Sequence, residues 1–363
     1  MIYLDHAATG LPRLPAALAA LADAAALGSP GRGHHRVAAG ASAALAEARG
    51  AVAALAGGGT VCFTSGATAA LNQAILGLRP APRAVAVDPL LHNAARRPVH
   101  ALGVPVWTLP HDARGRVDVA ASAREWPAEI ELVVVGHASN VTGALQPVAA
   151  LAELARARGA RTVVDCAQTA GLGGALDVGD AELIAFSSHK ALRAPAGAGA
   201  LVVRGGVALE PRAYGGTGAD AADPEMPAEL PGRLEAGTHA LPAIAALGRA
   251  ARHALAEPFD PAPLAAALQR AVDRSGARVL AAGELPIVLF AIDGVAPLEV
   301  EEILDRAFDL VVRAGLHCAP AAHAHLGTLA EGGAVRASAG AGTTTDDLAA
   351  LTDVLTRLAA RTR

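Results

Sequence analysis

At 363 residues the chain has room for two or three domains and a large core. Its hydrophobic share of 53% leans on alanine, only 2% of residues are aromatic, and 30 basic against 34 acidic residues leave a formal charge of -4. This balance gives no reason to expect nucleic acid or an anionic membrane as partner, the scarcity of rings removes base-stacking platforms, and no long run of bulky apolar residues points to a membrane span.

The opening residues, Met1-Ile2-Tyr3-Leu4-Asp5, bring an acid at once and no basic n-region, so no secretion signal is expected. Three cysteines do not read as a disulfide framework, and a reducing cytoplasm is the expected compartment. Residues 15–27 are alanine-rich and predicted helical, stopping at Gly28, and alanine at this density predicts closely set helices. Residues 29–33 carry turn chemistry and read as a loop. A helix at 38–55 closes on Gly57 to Gly59, followed by a strand at 60–63, a helix at about 66–78 and a strand at 84–87. The middle is clearest: a strand at 132–135, then Pro147 in the first turn of a helix that runs to Arg158 and stops at Gly159. Strands at 162–164, 183–186 and 200–203 complete a strand–helix rhythm that implies a mainly parallel sheet covered on both faces. Residues 214–231 read as a long loop, 241–255 as a helix, and 258–263 as a boundary. Beyond it, a helix, a strand at 287–290, a helix at 298–308, a short strand at 310–313 and a final helix at 345–358 suggest a smaller α+β unit. The expected division is a large domain of residues 12–255, with 1–11 and 256–363 forming the small one.

The stretch Leu183-Ile184-Ala185-Phe186 ends in Ser187-Ser188-His189-Lys190, which places two hydroxyls, an imidazole and a lysine at a strand end. Open α/β sheets put their ligands there. A lysine flanked by phosphate-holding groups suits a Schiff base to pyridoxal phosphate (PLP), although alone the stretch reads equally well as a solvated lysine. PLP also asks for a carboxylate at its pyridine nitrogen, a partner for the ring face and donors for the phosphate. Asp165 ends the strand at 162–164 and suits the first, with Gln168 placed to donate to the phenolate oxygen. Thr64-Ser65-Gly66-Ala67-Thr68 joins a strand to a helix, where free amides make an anion site, and a plain N-cap explains it as well. Ser187 and His189 add donors from the other side. His92, beyond the strand at 84–87, is a candidate to stack on the ring, with a surface histidine as the plainer reading.

Seven motifs in order then resemble the class V aminotransferase family, and within it the cysteine desulfurases. They are Tyr3-Leu4-Asp5-His6-Ala7-Ala8-Thr9, Phe63-Thr64-Ser65-Gly66-Ala67-Thr68, Ser139-Asn140-Val141-Thr142-Gly143, Val164-Asp165-Cys166-Ala167-Gln168-Thr169, Ser187-Ser188-His189-Lys190, Glu235-Ala236-Gly237-Thr238 and Arg313-Ala314-Gly315-Leu316-His317-Cys318-Ala319-Pro320. The last resembles the short cysteine loop of desulfurases paired with SUF-type sulfur transfer and of selenocysteine lyase-like proteins. The resemblance implies the fold type I architecture of PLP-dependent transferases, with a mainly parallel seven-stranded sheet in the large domain. It implies Lys190 as the Schiff-base lysine, Asp165 at the pyridine nitrogen, Gln168 at the phenolate oxygen and His92 on the ring. Thr64, Ser65, Ser187 and His189 would bind the phosphate, joined by Thr238 from the neighbouring subunit of a homodimer. Asn140 and Arg336 would hold the substrate carboxylate, and Arg313 and His35 would stand at the entrance. The chain departs from the pattern at His6, where asparagine is common, at Ala194, which precedes Pro195 where glycine is usual, and at Leu316, which is histidine in some relatives.

A desulfurase moves sulfur, so a thiolate must reach the substrate sulfur and be kept reactive. Cys318, in a loop bounded by Gly315 and Pro320 beside His317 and near Arg313, is the expected nucleophile, carried on a flexible segment of the small domain. Cys62 lies inside a strand and Cys166 follows Asp165, so both read as packing cysteines. His317, Cys318, His323 and His325 are ligand types at close spacing, but no CxxC or HExxH accompanies them and no metal is expected. The activity expected is release of L-alanine from L-cysteine with a persulfide left on Cys318, which a sulfur-acceptor protein would collect. The alternatives are a lyase acting on L-selenocysteine, a class V aminotransferase or lyase acting on another amino acid, and a catalytically silent scaffold of the same fold.

Overall fold

The computed structural model describes residues 1–31, 33, 35–218 and 222–360. Arg32 of the loop at 29–33, and residues 219–221 of the loop at 214–231, lie outside the described residues. The chain opens with β1 (Ile2–Tyr3), α1 (Pro15–Ala25) and α2 (Arg36–Leu55). Strands and helices then alternate: β2 (Thr60–Thr64), α3 (Ala67–Gly77), β3 (Val85–Val87), α4 (Asn93–Ala101), β4 (Val106–Thr108), α5 (Val119–Glu125), β5 (Leu132–Gly136), α6 (Val148–Ala157) and β6 (Arg161–Asp165). Next come β7 (Leu183–Ser187), β8 (Gly199–Val203) and α7 (Leu241–Ala256). The remainder is α8 (Ala262–Arg274), β9 (Arg278–Ala282), β10 (Ile287–Ala291), α9 (Pro297–Phe308), β11 (Leu310–Val311), β12 (Arg313–Gly315), α10 (Pro320–His325), β13 (Ala334–Ser338) and α11 (Thr345–Ala360).

The large sheet has seven strands in the order β2-β8-β7-β6-β5-β3-β4. From β7 to β4 every pair is parallel, and β8 runs antiparallel to both its neighbours. This is the mainly parallel seven-stranded sheet that the sequence implied. Its central strands are apolar without alternation because helices cover both faces, and β7 and β8 are buried along their whole length. Each fully buried Leu, Ile or Phe, such as Leu183, Ile184 and Phe186, contributes about 1.5–3 kcal/mol. The pairing Gly136↔Asp165 and Asp165↔Ala185 sets the carboxyl ends of β5, β6 and β7 side by side, so Asp165 and the Ser187-to-Lys190 run emerge at one sheet edge. Alanine and glycine let the helices crowd as expected. A Cβ on Gly248 of α7 would collide with the Ala48 Cα of α2.

A second sheet, β12-β13-β10-β9, is antiparallel throughout and packs on α8, α9 and α11 through Phe290, Val335, Leu304, Leu351 and Leu355. The N-terminal strand β1 crosses over and pairs in parallel with β11. The single strand predicted at 310–313 is in fact two. Leu310–Val311 pairs with β1, whereas Arg313–Gly315 pairs with β13, and buried Val312 turns the chain between the sheets. No helix among the described residues is long and apolar enough to cross a membrane.

Candidate functional site

The lysine loop is built first by its own backbone. Ser188 N donates to Ala198 O at 3.0 Å, Ala194 N to Ser188 O at 3.0 Å and Arg193 N to Lys190 O at 2.8 Å, while Ser188 Oγ donates to Pro195 O at 2.5 Å. The glycine missing before Pro195 is not needed. The loop's left-handed residue is Arg193, with φ 53°, and Ala194 is not among the residues with positive φ.

This loop opens on a cleft of about 350 Å³. Its wall carries Ser65, His92, Asn140, Asp165, Ser187, His189, Lys190, Arg313, His317, Cys318 and Arg336. Residues expected at one centre from seven separate stretches of sequence thus share one cavity. Others stand apart. Thr64 exchanges hydrogen bonds with the Gly66 backbone and, with Thr238, lines an adjoining cavity. Gln168 lies across Lys190 from the cleft, with Nε2 donating to Ala7 O at 3.0 Å. His35 caps α2, its Nδ1 accepting from Ala38 N at 3.2 Å, and does not line the cleft.

Burial governs the titrating groups. It lowers the Lys190 pKa, helped by Arg336 and Arg313 and opposed by the charges of Asp165 and Cys318. A neutral amine, the nucleophilic form, is thereby favoured. Burial also pushes His92 and His189 down to about 4, with Lys190 adding to both shifts. His92 is the N-cap of α4, and its Nδ1 accepts from Ala94 N at 3.0 Å, which fixes the ring and leaves the proton on Nε2. Buried Asp165 accepts from Ala167 N at 2.9 Å. Behind it lies Asp88, a residue the sequence did not single out. Burial pushes its carboxyl up to about 7, against bonds from Gly136 N and Leu90 N and with Asp165 adding to the rise.

Cys318 is exposed, but its segment is not the flexible one expected. His317 and Cys318 both adopt positive φ, 50° and 55°. Asn140 Nδ2 donates to His317 O and Asn93 N to Cys318 O, each at 2.8 Å, pinning the backbone to the elements around the large sheet. The His317 ring faces inward. Its Nε2 donates to Arg313 O at 3.1 Å, so its Nδ1 accepts from His323 Nε2 at 3.1 Å, and Thr328 Oγ1 donates to His323 Nδ1 at 2.8 Å. Burial holds His317 near 3, so it is neutral with both nitrogens engaged and is no base for the adjacent thiol. His325 turns away to donate to Ala113 O, and no cluster of metal-ligand side chains occurs among the described residues. The two buried thiols behave as packing groups: burial pushes Cys62 up to about 12 and raises Cys166 further.

Two buried polar atoms facing the cleft have no hydrogen-bond partner among the described residues: Ser187 Oγ and Arg336 Nε. Arg336 is otherwise tied down, Nη1 to Asn140 O at 2.9 Å and Nη2 to Asp5 Oδ1 at 2.6 Å. Buried polar groups are normally satisfied, so these two mark where a ligand's acceptors belong. Together with a lysine amine of lowered pKa and a buried carboxylate, this donor set fits PLP and an amino-acid carboxylate.

The family description "aminotransferase class-V" matches residues 2–351. Among curated proteins, a probable cysteine desulfurase of Pseudomonas putida is 33% identical over 314 residues, covering 81% of this chain and 77% of that protein. Another probable cysteine desulfurase, from Methanothermobacter thermautotrophicus, is 29% identical over 99% of this chain and 94% of its own. Among solved structures, the apo cysteine desulfurase of Thermococcus onnurineus superposes with a TM-score of 0.87 at 26% identity, over 99% of this chain and 95% of that one. The cysteine desulfurase CsdA of Escherichia coli gives 0.83 at 25%, over 99% and 94%.

Proposed function

The chain belongs to the class V aminotransferase family of PLP-dependent enzymes and has the fold type I architecture, and on that premise we propose that it is a cysteine desulfurase acting through a persulfide on Cys318. The observation that carries this reading is the meeting of Lys190 and Cys318 on the wall of one cleft. A transaminase has no use for a thiol placed there.

In this reading Lys190 would hold PLP through its amine, Asp165 would serve the pyridine nitrogen, and His92 would cover the ring. Ser65, Ser187 and His189 would receive the phosphate, with Thr64 beside them, and Gln168 would have to turn from its bond to Ala7 O to reach the phenolate oxygen. Bound PLP supplies an electron sink for the substrate's α-carbon. Arg336 receives the substrate carboxylate through its free Nε–H, next to Asn140, and Arg313 stands at the entrance. Lys190 takes the α-proton and later returns it. The Cys318 thiolate attacks the sulfur of L-cysteine, forming the S–S bond as the Cβ–S bond breaks. That bond's electron pair stays with carbon, the substrate thiol's proton equivalent ends on the new methyl group, L-alanine leaves, and the sulfane sulfur remains on Cys318. Exposure of Cys318 suits delivery of that sulfur to an acceptor protein. His35 and Thr238 do not reach this cleft within a single chain, so the roles proposed for them require the second protomer of a homodimer. The division into residues 12–255 and 1–11 with 256–363, and a cytoplasmic location for three free cysteines, are part of the same proposal.

The test is mass spectrometry of the protein after exposure to PLP and L-cysteine. The expected result is one added sulfur on the peptide containing Cys318, with L-alanine formed. An unmodified Cys318, and alanine no higher than with Cys318→Ala, defeats the proposal.

A further inference from the structure

Both peptide planes that flank Lys190 are held by a stretch outside the cleft, residues 9–14. The His189 carbonyl, in the plane entering Lys190, accepts from Gly10 N at 2.8 Å and from Arg13 Nη1 at 3.1 Å. The Lys190 carbonyl, in the plane leaving it, accepts from Arg193 N and packs so tightly on Gly10 that a Cβ there would collide with it. Arg13 Nη1 also donates to Ala194 O at 3.0 Å and to Gly10 O at 3.3 Å. One guanidinium therefore joins the residue before the lysine, the residue that closes its loop, and the segment that braces both. Leu14 N donates to Arg193 O at 3.0 Å, and Thr9 Oγ1 lies 3.0 Å from His189 Nδ1. Among the described residues the hydrogen bonds of the Arg13 side chain all go to backbone carbonyls, so its donors are used on this loop.

We propose that Arg13 is a positioning residue for Lys190: its guanidinium ties the plane entering the lysine to the residue that closes its loop and to Gly10, which braces the plane leaving it, and so sets where the amine stands in the cleft. The inference rests on the PLP-dependent reading of the site. The lysine amine sits at the end of a four-carbon stem, so a small rotation of either flanking plane sweeps it a long way, and a misplacement of about 1 Å costs on the order of a hundred-fold in rate. Lysine at position 13 keeps the charge, but its stem ends one bond short of Nη1, the nitrogen from which all three bonds leave, and its ammonium is more strongly hydrated than a guanidinium.

The experiment compares the wild-type holoprotein with Arg13→Met and Arg13→Lys. Three readouts are taken: kcat and KM for alanine formation from L-cysteine, the visible absorbance of PLP bonded to Lys190, and the thermal midpoint. The expected result for Arg13→Met is a folded protein that still takes up PLP. It has a KM close to wild type, a kcat lower by about ten- to a hundred-fold, and a weakened visible band at equal PLP content. Arg13→Lys should recover only part of the loss. Adding guanidinium ion to Arg13→Ala should restore kcat where sodium at equal ionic strength does not. An unchanged kcat and band in folded Arg13→Met overturns the proposal. So does a purely structural result, in which the thermal midpoint and PLP content fall together while turnover per bound PLP stays at the wild-type level. If the wild type binds PLP but makes no alanine, the desulfurase reading fails, and the absorbance comparison still decides the role of Arg13.

Discussion

Replacing Ser187 with alanine should raise the stability of the PLP-free protein and lower its affinity for PLP. Ser187 is 3% exposed, and its hydroxyl has no partner among the described residues. Leaving a buried hydroxyl unsatisfied costs about 1–3 kcal/mol, and alanine keeps the Cβ, so the change removes that penalty without opening a sizeable cavity. An increase of about 1 kcal/mol corresponds to roughly 2 °C in the thermal midpoint for a chain of this size. Under the proposed assignment the same hydroxyl would meet a phosphate oxygen in the holoprotein. A hydrogen bond to a charged group contributes about 1.5–3 kcal/mol, which at about 1.4 kcal/mol per decade is a roughly ten- to hundred-fold loss in affinity. Urea melts of the PLP-free protein and a fluorescence titration with PLP measure the two halves. Thr162 supplies a control: its Oγ1 is also buried and unpartnered, but it lies along β6 away from the cleft. Thr162→Val should stabilise without changing PLP affinity. A Ser187→Ala protein that is less stable without PLP, or that binds PLP as wild type does, refutes the phosphate assignment.

Alkylation of the native protein should mark Cys318 alone, with Cys62 and Cys166 labelled only after unfolding, because the first is exposed and the others are buried with raised pKa values; native labelling of either buried cysteine contradicts this. Gly248→Ala should destabilise by about 1–3 kcal/mol through overpacking, since the new methyl would lie 2.6 Å from the Ala48 Cβ across the α2–α7 crossing, and an unchanged thermal midpoint would count against that geometry. Stability should fall on acidification from pH 7 to 5. His6, His92 and His189, held near 4, and His317, near 3, bind protons in the unfolded chain from 6.5 downward but not in the folded one, so their contribution is present above 6.5 and is lost toward 4. Asp88, raised to about 7, acts in the opposite direction between 3.8 and 7, one group against four, so a urea midpoint higher at pH 5 than at pH 7 would reject this sum.

The parts of the fold legible in the sequence are those where local pattern and tertiary burial agree. Continuous apolar runs bounded by glycine gave β5 to β8, because strands covered on both faces need no alternation. Helix α4 was not predicted because Arg96, Arg97 and Pro98 sit in its middle, and only a narrow face with Ala95 and Val99 is buried. Strand β4 is an edge strand with Val106 half exposed, and β9 is nowhere fully buried, so neither carries a strong periodic signal. The site was legible as residue types at strand ends. What sequence does not encode locally is which groups finish their hydrogen bonds elsewhere. His317 stands beside Cys318 in the chain, yet its ring is consumed by Arg313 and His323. Arg13 carries no motif at all, and its role exists only because residues 9–14 pass under the lysine loop.

The thiol is presented by backbone strain rather than by a mobile loop. Left-handed conformations cost residues with a Cβ roughly 1–2 kcal/mol each, and His317 and Cys318 adopt them in succession. Such a pair persists only if its surroundings over-determine it. The two carbonyls concerned are both claimed from around the large sheet, His317 O by the Asn140 side chain and Cys318 O by the first amide of α4, directly after the cap residue His92. The elements that fix His92 and Asn140 thus also fix the cysteine, although the cysteine's own strand, β12, belongs to the other sheet. A separation of the two sheets would break both hydrogen bonds and release the strain together. The position of Cys318 on the cleft wall is therefore set by contacts between the elements of the two sheets. One of these residues, Asn140, also ties the cysteine to Arg336, because Asn140 O accepts from the Arg336 guanidinium.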